Sequence, residues 1–254
     1  MKEKIATVLL VALLGGGSLI NSNSLMAQTK IIAHRGHWDC EGSAQNSLAA
    51  LQKAHEAGAY GSEFDVLITA DGIPVVNHDD TIEGFTIETS TYEQLKNLKL
   101  SNGETLPTLE QYLVAGKKNP ATQLILEIKP HKSVVNEDRA VANALALVRQ
   151  HGMEQQVEYI SFSINICKEL RRAAPAAAVY YLKSDLTPQE LKTLGMTGLD
   201  YYYKVLQQHP EWIKQAQELG LKVNVWTVND PQVMQWFAEQ GVDFITTDRP
   251  NALK

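Results

Sequence analysis

Short hydrophobic runs alternate along this chain with longer segments in which hydrophobic residues recur every three or four positions. The runs, rich in Ile, Val, Leu and Tyr, predict strands at residues 30–34, 63–68, 123–129, 157–162, 178–182, 199–203, 221–228 and 243–246. The intervening segments have helical periodicity and begin at capping residues, which are Asn46 or Ser47, Thr108, Thr187 and Asp230. Repeated alternation of strand and helix predicts a parallel sheet covered by helices.

Residues 74–78 form a ninth hydrophobic run, one more than a closed barrel of eight strands holds. The Asp71-Gly72 pair before it is typical of a two-residue β-hairpin, which would place Asp65 opposite His78. We therefore interpret 74–78 as a return arm and predict an α/β fold, the (β/α)₈ TIM-type barrel. An open doubly wound sheet is the alternative, but no Gly-x-Gly-x-x-Gly segment follows the first strand.

Length and composition are those of one globular domain. The chain has 254 residues, of which 44% are hydrophobic and 20% are charged. A formal net charge of −6 argues against nucleic acid as the main partner, because such binding needs a basic face. It is compatible with a small phosphorylated substrate. We expect Cys40 and Cys167 to be free thiols, since a domain of this size does not need a disulfide.

Residues 1–27 have the pattern of a secretory signal peptide. Two lysines precede the apolar run Ile5–Leu14, and small and polar residues follow as far as Ala27. The run is shorter than the roughly 20 residues that span a bilayer as a helix. We expect cleavage near Ala27, a periplasmic or secreted protein without stable membrane insertion, and a single domain over residues 28–254. A retained membrane anchor is the alternative.

Polar side chains of complementary types lie at or near the predicted strand ends. They are His34, Arg35, Glu63, Asp65, His78, Glu127, Lys129 and Trp226. Because the carboxyl ends of the strands surround the active site in a (β/α)₈ barrel, we expect these side chains at one mouth. Glu63 and Asp65 are two residues apart and share one face of their strand. A hard metal ion between two buried carboxylates relieves their repulsion.

Taken singly, each feature also has a structural explanation. A histidine at a strand end is often structural, and a Glu-x-Asp pair often lies on a solvated edge. Glu127 and Lys129 could form a plain ion pair worth about 0–1 kcal/mol, and Trp226 could be a core residue. Their complementary types and their positions at strand ends favour a catalytic site, in which a histidine exchanges protons near neutral pH.

The sequence resembles the glycerophosphodiester phosphodiesterases, metal-dependent enzymes related to the phosphoinositide-specific phospholipases C. The resemblance covers nearly the whole chain after the signal peptide, in six blocks whose order is more specific than any one block. The blocks are Ile32–Gly36, Glu63–Val66 with Asp71–Asp79, Leu106–Glu110, Leu126–Pro130, Val225–Asn229 and Gly241–Pro250.

The resemblance implies a (β/α)₈ barrel in which residues 79–107 are a short insertion. It implies metal-dependent hydrolysis of glycerophosphodiesters to glycerol 3-phosphate and an alcohol. It also implies a role for each candidate: His34 and His78 as the acid–base pair, Glu63, Asp65 and Glu127 as ligands of one Mg²⁺ or Ca²⁺, Arg35 and Lys129 as phosphate binders, and Trp226 as a wall against the glycerol.

Two segments depart from the family pattern. The family has Pro-Glu-Asn-Thr at the start of its first helix, but this chain has Ala44–Ser47, in which the glutamate is the neutral Gln45. The family's Arg-Thr-Thr after the His-Asp block is replaced by residues 80–85. Two alternatives therefore remain. One is the same barrel acting on another phosphodiester, such as a glycerophosphoinositol, a sugar or a polymer phosphodiester, and the other is an exported binding protein that keeps its metal but lacks turnover.

Overall fold

The computed structural model describes residues 29–251, so the predicted signal peptide lies outside the described residues. The helices are α1 (Leu48–Glu56), α2 (Tyr92–Leu95), α3 (Leu109–Gly116), α4 (Val134–His151), α5 (Ile164–Ala173), α6 (Pro188–Thr193), α7 (Tyr203–Gln208), α8 (Glu211–Glu218) and α9 (Pro231–Glu239). The strands are β1 (Lys30–Ala33), β2 (Gly61–Ile68), β3 (Pro74–Val76), β4 (Thr81–Ile82), β5 (Phe85–Thr86), β6 (Gln123–Ile128), β7 (Val157–Ser161), β8 (Val179–Tyr181), β9 (Gly198–Tyr202), β10 (Lys222–Trp226) and β11 (Phe244–Thr247). None of these helices is both long and apolar enough to cross a membrane.

Eight parallel strands close into a barrel. Their order is β1-β11-β10-β9-β8-β7-β6-β2, and pairing between β1 and β2 completes the circle. The helices connect successive strands, so the predicted (β/α)₈ fold is confirmed. β3 pairs antiparallel with β2 as a ninth strand outside the circle, which confirms that the run at 74–78 is a return arm.

The turn between β2 and β3 differs from the predicted two-residue hairpin. It contains three residues, and its Gly72 has a φ of +86° and donates its N–H to the carbonyl of Thr69 at 2.9 Å. The extra residue shifts the strand register by one. The N–H of Asn77 therefore donates to the carbonyl of Asp65 at 3.0 Å, and the predicted pairing of Asp65 with His78 is wrong. His78 lies beyond the end of β3.

Residues along each barrel strand face alternately outward, towards the helices, and inward, into the barrel. The outward residues pack against the helices, as where the Phe64 ring of β2 stacks on the Tyr112 ring of α3 with centroids 4.1 Å apart. Inward apolar residues form a cluster inside the barrel, made of Ile32, Ile125, Ile160, Tyr180, Leu182 and Phe244. Further along β2 and β6 the inward positions hold carboxylates, so the barrel interior changes from apolar to polar towards the carboxyl ends of these strands.

The insertion at residues 79–107 is more regular than its polar sequence indicated. It contains the two-stranded sheet β4–β5, a 3₁₀ turn at Ile87–Thr89 and the short helix α2. The predicted helical piece at residues 92–98 is thus confirmed with a shorter extent. Buried residues of the insertion pack on the outer face of the β2–β3 hairpin, among them Ile82, Ile87, Leu95 and Leu106. The insertion therefore supports the arm that leads to His78.

Both cysteines are free, as expected. Cys167 lies in α5 and is fully buried, and burial raises the pKa of its thiol to about 12. The Sγ of the half-buried Cys40 lies 3.2 Å from the carbonyl oxygen of His37.

Candidate active site

All eight side chains singled out in the sequence line one cleft at the carboxyl ends of the barrel strands. Five further residues complete the lining, namely Ile160, Phe162, Leu182, Asp200 and Thr246. The predicted convergence of strands β1, β2, β6 and β10 on one site is therefore what the structure contains.

Three buried carboxylates form the centre of the cleft. Glu63 and Asp65 lie on one face of β2, and Glu127 is the register neighbour of Asp65 on β6. One oxygen of each lies within 4.8 Å of the others, and the three residues are only 3%, 1% and 6% exposed. Burial and the neighbouring Asp65 raise the pKa of Glu127 to about 8, and the same two causes raise the pKa of Glu63.

This cluster fits a hard divalent cation. Within residues 29–251, the buried Oε1 of Glu63 has no hydrogen-bond partner. Carboxylate oxygens are the ligands that Mg²⁺ and Ca²⁺ prefer, and a cation removes the repulsion that raises the carboxyl pKa values. The cluster itself contains no thiol, which argues against a structural zinc centre.

Two cations accompany the carboxylates. Lys129 Nζ lies 3.2 Å from Asp65 Oδ1 and 3.1 Å from Glu127 Oε1. Arg35 Nε lies 3.8 Å from Asp65 Oδ2. With a divalent ion bound and all three carboxylates ionised, the charges of the carboxylates, the two cations and the ion would sum to one positive charge. The site loaded with such an ion would attract an anionic phosphodiester.

The turn after β1 aims the Arg35 side chain into the cleft. Arg35 and Gly36 have φ values of +53° and +75°, and a Cβ on Gly36 would lie 2.6 Å from the Ala50 Cβ, so only glycine fits there. The N–H of Arg35 donates to Glu63 Oε2 at 2.7 Å. A left-handed arginine costs about 1–3 kcal/mol, and such strain is tolerated where the surroundings fix the residue.

The segment Ala44–Ser47, which departs from the family pattern, contacts both Arg35 and Asp65. Gln45 Oε1 accepts a 2.6 Å hydrogen bond from Arg35 Nη1, so the neutral amide keeps a contact to the arginine. The buried Asn46 donates from Nδ2 to Asp65 Oδ2 at 2.9 Å and accepts from the N–H of Asp65 at 3.0 Å. The helix cap is Ser47, whose Oγ accepts from the N–H of Ala50. Asn46 is therefore a positioning residue for Asp65, whereas the sequence pattern indicates only a helix cap at this position.

His34 is oriented by a carboxylate that sequence reasoning missed. Its Nδ1 lies 2.8 Å from Asp248 Oδ1, and because a carboxylate only accepts, the Nδ1 atom carries the hydrogen. Asp248 also accepts from Trp38 Nε1 at 3.1 Å and from Asn229 Nδ2 at 2.7 Å. Burial alone would raise the pKa of Asp248, but the hydrogen bonds from His34 and Asn229 outweigh it and lower the pKa to about 2. The free Nε2 of His34 lies 4.0 Å from Glu63 Oε2.

His78 reaches the same cleft from the end of the β3 arm. Its side chain is 38% exposed, against 21% for His34, and its Nδ1 lies 2.7 Å from Asp79 Oδ1. Burial lowers the pKa of His78 despite the nearby Asp65 carboxylate. The two histidines therefore enter the cleft from different chain segments and with different solvent access.

The opposite side of the cleft is largely apolar. The Trp226 ring meets Phe162 edge-on at a centroid distance of 5.5 Å and Tyr202 at 5.4 Å. Its Nε1 donates to the carbonyl oxygen of Asp200 on β9 at 2.9 Å, which fixes the indole across β9 and β10. Trp226 is thus a wall of the cleft and is half-buried.

Known proteins of one enzyme family are similar in sequence to this chain. The sequence profile of the Glycerophosphoryl diester phosphodiesterase family matches residues 34–252. A glycerophosphodiester phosphodiesterase of Caldanaerobacter subterraneus is 29% identical, over 89% of this chain and 96% of that protein.

Solved structures have the same architecture. A glycerophosphodiester phosphodiesterase from Parabacteroides distasonis is 51% identical with a TM-score of 0.88, covering 89% of this chain and 95% of that one. An Oleispira antarctica phosphodiesterase in complex with the product sn-glycerol-3-phosphate is 26% identical with a TM-score of 0.76, covering 91% of this chain and 97% of that one.

Proposed function

Because the chain belongs to the glycerophosphoryl diester phosphodiesterase family and is a phosphoric diester hydrolase, we propose that it converts glycerophosphodiesters to glycerol 3-phosphate and an alcohol. The observation that carries the proposal is the cleft itself, in which two histidines face a cluster of three buried carboxylates and two cations. The family membership supports the substrate class, and so does the product bound by the Oleispira antarctica relative.

Glu63, Asp65 and Glu127 would hold one Mg²⁺ or Ca²⁺. When bound, the ion supplies charge neutralisation at the phosphoryl oxygens as the reaction proceeds. Arg35 and Lys129 bind the phosphate beside it, the arginine through its planar fork and the lysine as a point charge. These contacts hold the phosphorus between the two histidines.

The histidines move the protons. One takes a proton from the attacking oxygen and the other gives one to the leaving alcohol, and each such transfer is worth about 10²–10⁴-fold in rate. Asp248 keeps hydrogen on Nδ1 of His34, so Nε2 is the atom that exchanges a proton in the cleft. His78, on its separate arm, serves the opposite side of the phosphorus. The attacking oxygen belongs either to water or to the neighbouring glycerol hydroxyl.

Hydrolysis of glycerophosphocholine in Mg²⁺ or Ca²⁺, followed by measurement of glycerol 3-phosphate, tests the reaction. Release of glycerol 3-phosphate that stops on chelation is the expected result. Turnover of only sugar, inositol or polymer phosphodiesters would favour the same barrel with another substrate. Binding of a metal ion without turnover of any phosphodiester would favour a binding protein.

Calorimetric titration tests the metal site separately from activity. Asp65→Asn should lose most of the affinity for Mg²⁺ or Ca²⁺, because it removes the charge of the central carboxylate. Asp185→Asn is the matched control, since Asp185 follows β8 and pairs with Lys183 outside the cleft. Equal affinities of the wild type and Asp65→Asn would refute the ligand assignment. Zn²⁺ should not restore activity to the chelated protein as Mg²⁺ or Ca²⁺ does.

Export is proposed from the amino-terminal sequence pattern alone. The mature protein should begin near Gln28 and accumulate in the periplasm or the medium. Mass spectrometry of the secreted protein measures its first residue, and a secreted chain that retains Met1 would contradict the proposal.

A further inference from the structure

A single carboxyl group interrupts the apolar side of the cleft. Ile160, Phe162, Leu182 and Trp226 line that side, and Asp200 of β9 lies among them with only 2% of its surface exposed. The catalytic carboxylates are on β2 and β6, so Asp200 belongs to a different part of the barrel wall. Neither the phosphate contacts nor the proton transfers proposed above use it.

The buried carboxyl group of Asp200 is incompletely partnered. Among the residues that the structure describes, none donates a hydrogen bond to its Oδ1. Asn224, its register neighbour on β10, is the adjacent amide, and it also donates to Thr246 Oγ1 at 2.9 Å. A buried polar atom left without a partner is destabilising, whereas an apolar residue like those beside it would fill the position without that cost. The position therefore suits a ligand that supplies a polar group.

The protonation state of Asp200 is compatible with an anionic substrate. Burial raises the pKa of Asp200 to about 8, and the Asn224 side chain offsets only part of this rise. The carboxyl group is then largely uncharged at neutral pH and can both donate and accept a hydrogen bond. An uncharged acid at this place does not repel a neighbouring phosphodiester, and an alcohol hydroxyl matches its mixed hydrogen-bonding capacity.

The depth of Asp200 indicates which end of the substrate it meets. A second, open groove lies beside the half-exposed His78 and is lined by its neighbours Asn77 and Asp79 and by Trp38, Gln45, Lys99 and others. Head groups of different sizes fit in such an open groove. The enclosed apolar side instead suits the small, constant part of the substrate, which is the glycerol. Its carbon atoms would lie against Trp226 and a hydroxyl would meet the carboxyl group.

We propose that Asp200 recognises a free hydroxyl group of the glycerol moiety and so sets the preference of the site for substrates that carry this hydroxyl. The inference rests on the proposed glycerophosphodiester hydrolysis. A substrate that lacks this hydroxyl leaves the buried carboxyl group without its polar partner. Asp200 is then a specificity-determining residue that leaves the chemistry at phosphorus to other groups.

Substrates that lack one hydroxyl test this role. Choline release is measured from glycerophosphocholine and from its two deoxy analogues, 3-hydroxypropyl and 2-hydroxypropyl phosphocholine. The wild type should prefer glycerophosphocholine in kcat/KM over at least one analogue by about tenfold or more, since a polar site rejects a ligand that leaves it unpaired. Asp200→Ala should bring that ratio close to one, mainly by lowering kcat/KM for glycerophosphocholine, and should change turnover of the discriminated analogue little.

The variants separate recognition from folding. Asp200→Asn keeps a donor and an acceptor and should retain part of the preference. Asp185→Asn, a carboxylate outside the cleft, should keep the wild-type ratio. If Asp200→Ala fails to fold, the ratio in Asp200→Asn decides, because an unchanged ratio in that variant would overturn the proposal. An unchanged ratio in folded Asp200→Ala would do the same. A wild type that hydrolyses none of the three compounds would refute the proposed function instead.

Discussion

Asp248→Asn probes the orientation of His34 with minimal change of shape. The substitution keeps the size of the side chain but removes the charge that accepts hydrogen bonds from His34, Trp38 and Asn229. One amide oxygen replaces two carboxylate oxygens, so the amide nitrogen is forced against at least one of these donors. Whichever way the amide turns, His34 loses the charged acceptor of its Nδ1 hydrogen, so its tautomer and its protonated form are less well stabilised.

The magnitude follows from the hydrogen bond that is lost. A hydrogen bond to a charged group contributes about 1.5–3 kcal/mol, and each 1.36 kcal/mol corresponds to a tenfold change in rate. Asp248→Asn should therefore lower kcat by about 10- to 150-fold. KM and metal affinity should change little, because Asp248 is not among the three carboxylates of the metal cluster and does not line the cleft.

Steady-state kinetics and calorimetric metal titration together check this expectation. The matched control is Asp243→Asn, since Asp243 precedes the strand that Asp248 follows and forms its ion pair with Lys222 outside the cleft. That variant should keep the wild-type kcat. The reasoning is refuted if Asp248→Asn, with wild-type metal affinity and thermal stability, also keeps wild-type turnover. A loss of metal affinity equal to the loss of kcat would show that Asp248 supports the carboxylate cluster instead.

The remaining predictions concern the histidines and Asp200. His34→Ala and His78→Ala should each lower kcat by at least about 100-fold, and the double variant should be little worse, because the two act as a unit. Near wild-type turnover of His78→Ala would show that its assigned role is wrong. The pKa of Asp200 is raised by burial from 3.8 to about 8, so the wild type loses stability as pH rises between these values. Asp200→Asn should therefore gain stability over the wild type, by about 1–3 kcal/mol near pH 8 and less near pH 5, in urea unfolding. A pH-independent difference would contradict this.

The architecture and the location of the site were predictable because both depend on patterns that persist along the chain. Hydrophobic runs separated by capped helices determine the barrel, and its geometry brings the residues that end β1, β2, β6 and β10 together. The surplus run at 74–78 was also assigned correctly, since an Asp-Gly pair so close to a strand indicates a hairpin. None of these steps required a contact between residues far apart in sequence.

The hairpin register was wrong because it depends on one local contact. The sequence Thr-Ala-Asp-Gly is compatible with turns of two or three residues, and the Thr69 side chain decides between them. Its Oγ1 accepts from the N–H of Ile73 at 2.9 Å and donates to Asp71 Oδ1 at 2.6 Å, which stabilises the longer turn. His78 still reaches the cleft, because the arm continues past the last strand residue. The prediction that His78 lies in the site was therefore correct, although the strand pairing on which it was based was wrong.

The residues that sequence reasoning missed share a physical character, which is that each acts on the site through a long-range contact. Asp248 orients a histidine 214 positions earlier in the chain, and Asn46 holds a carboxylate 19 positions later. Asp200 directly precedes a run of three tyrosines and is inward-facing only because the closed barrel sets that face. The chemical type of a side chain and its position at a strand end thus predict which groups line the cleft. The groups that fix a tautomer, hold a carboxylate or select a hydroxyl depend on the three-dimensional register, and the substitutions at Asp248 and Asp200 measure how much activity and specificity depend on them.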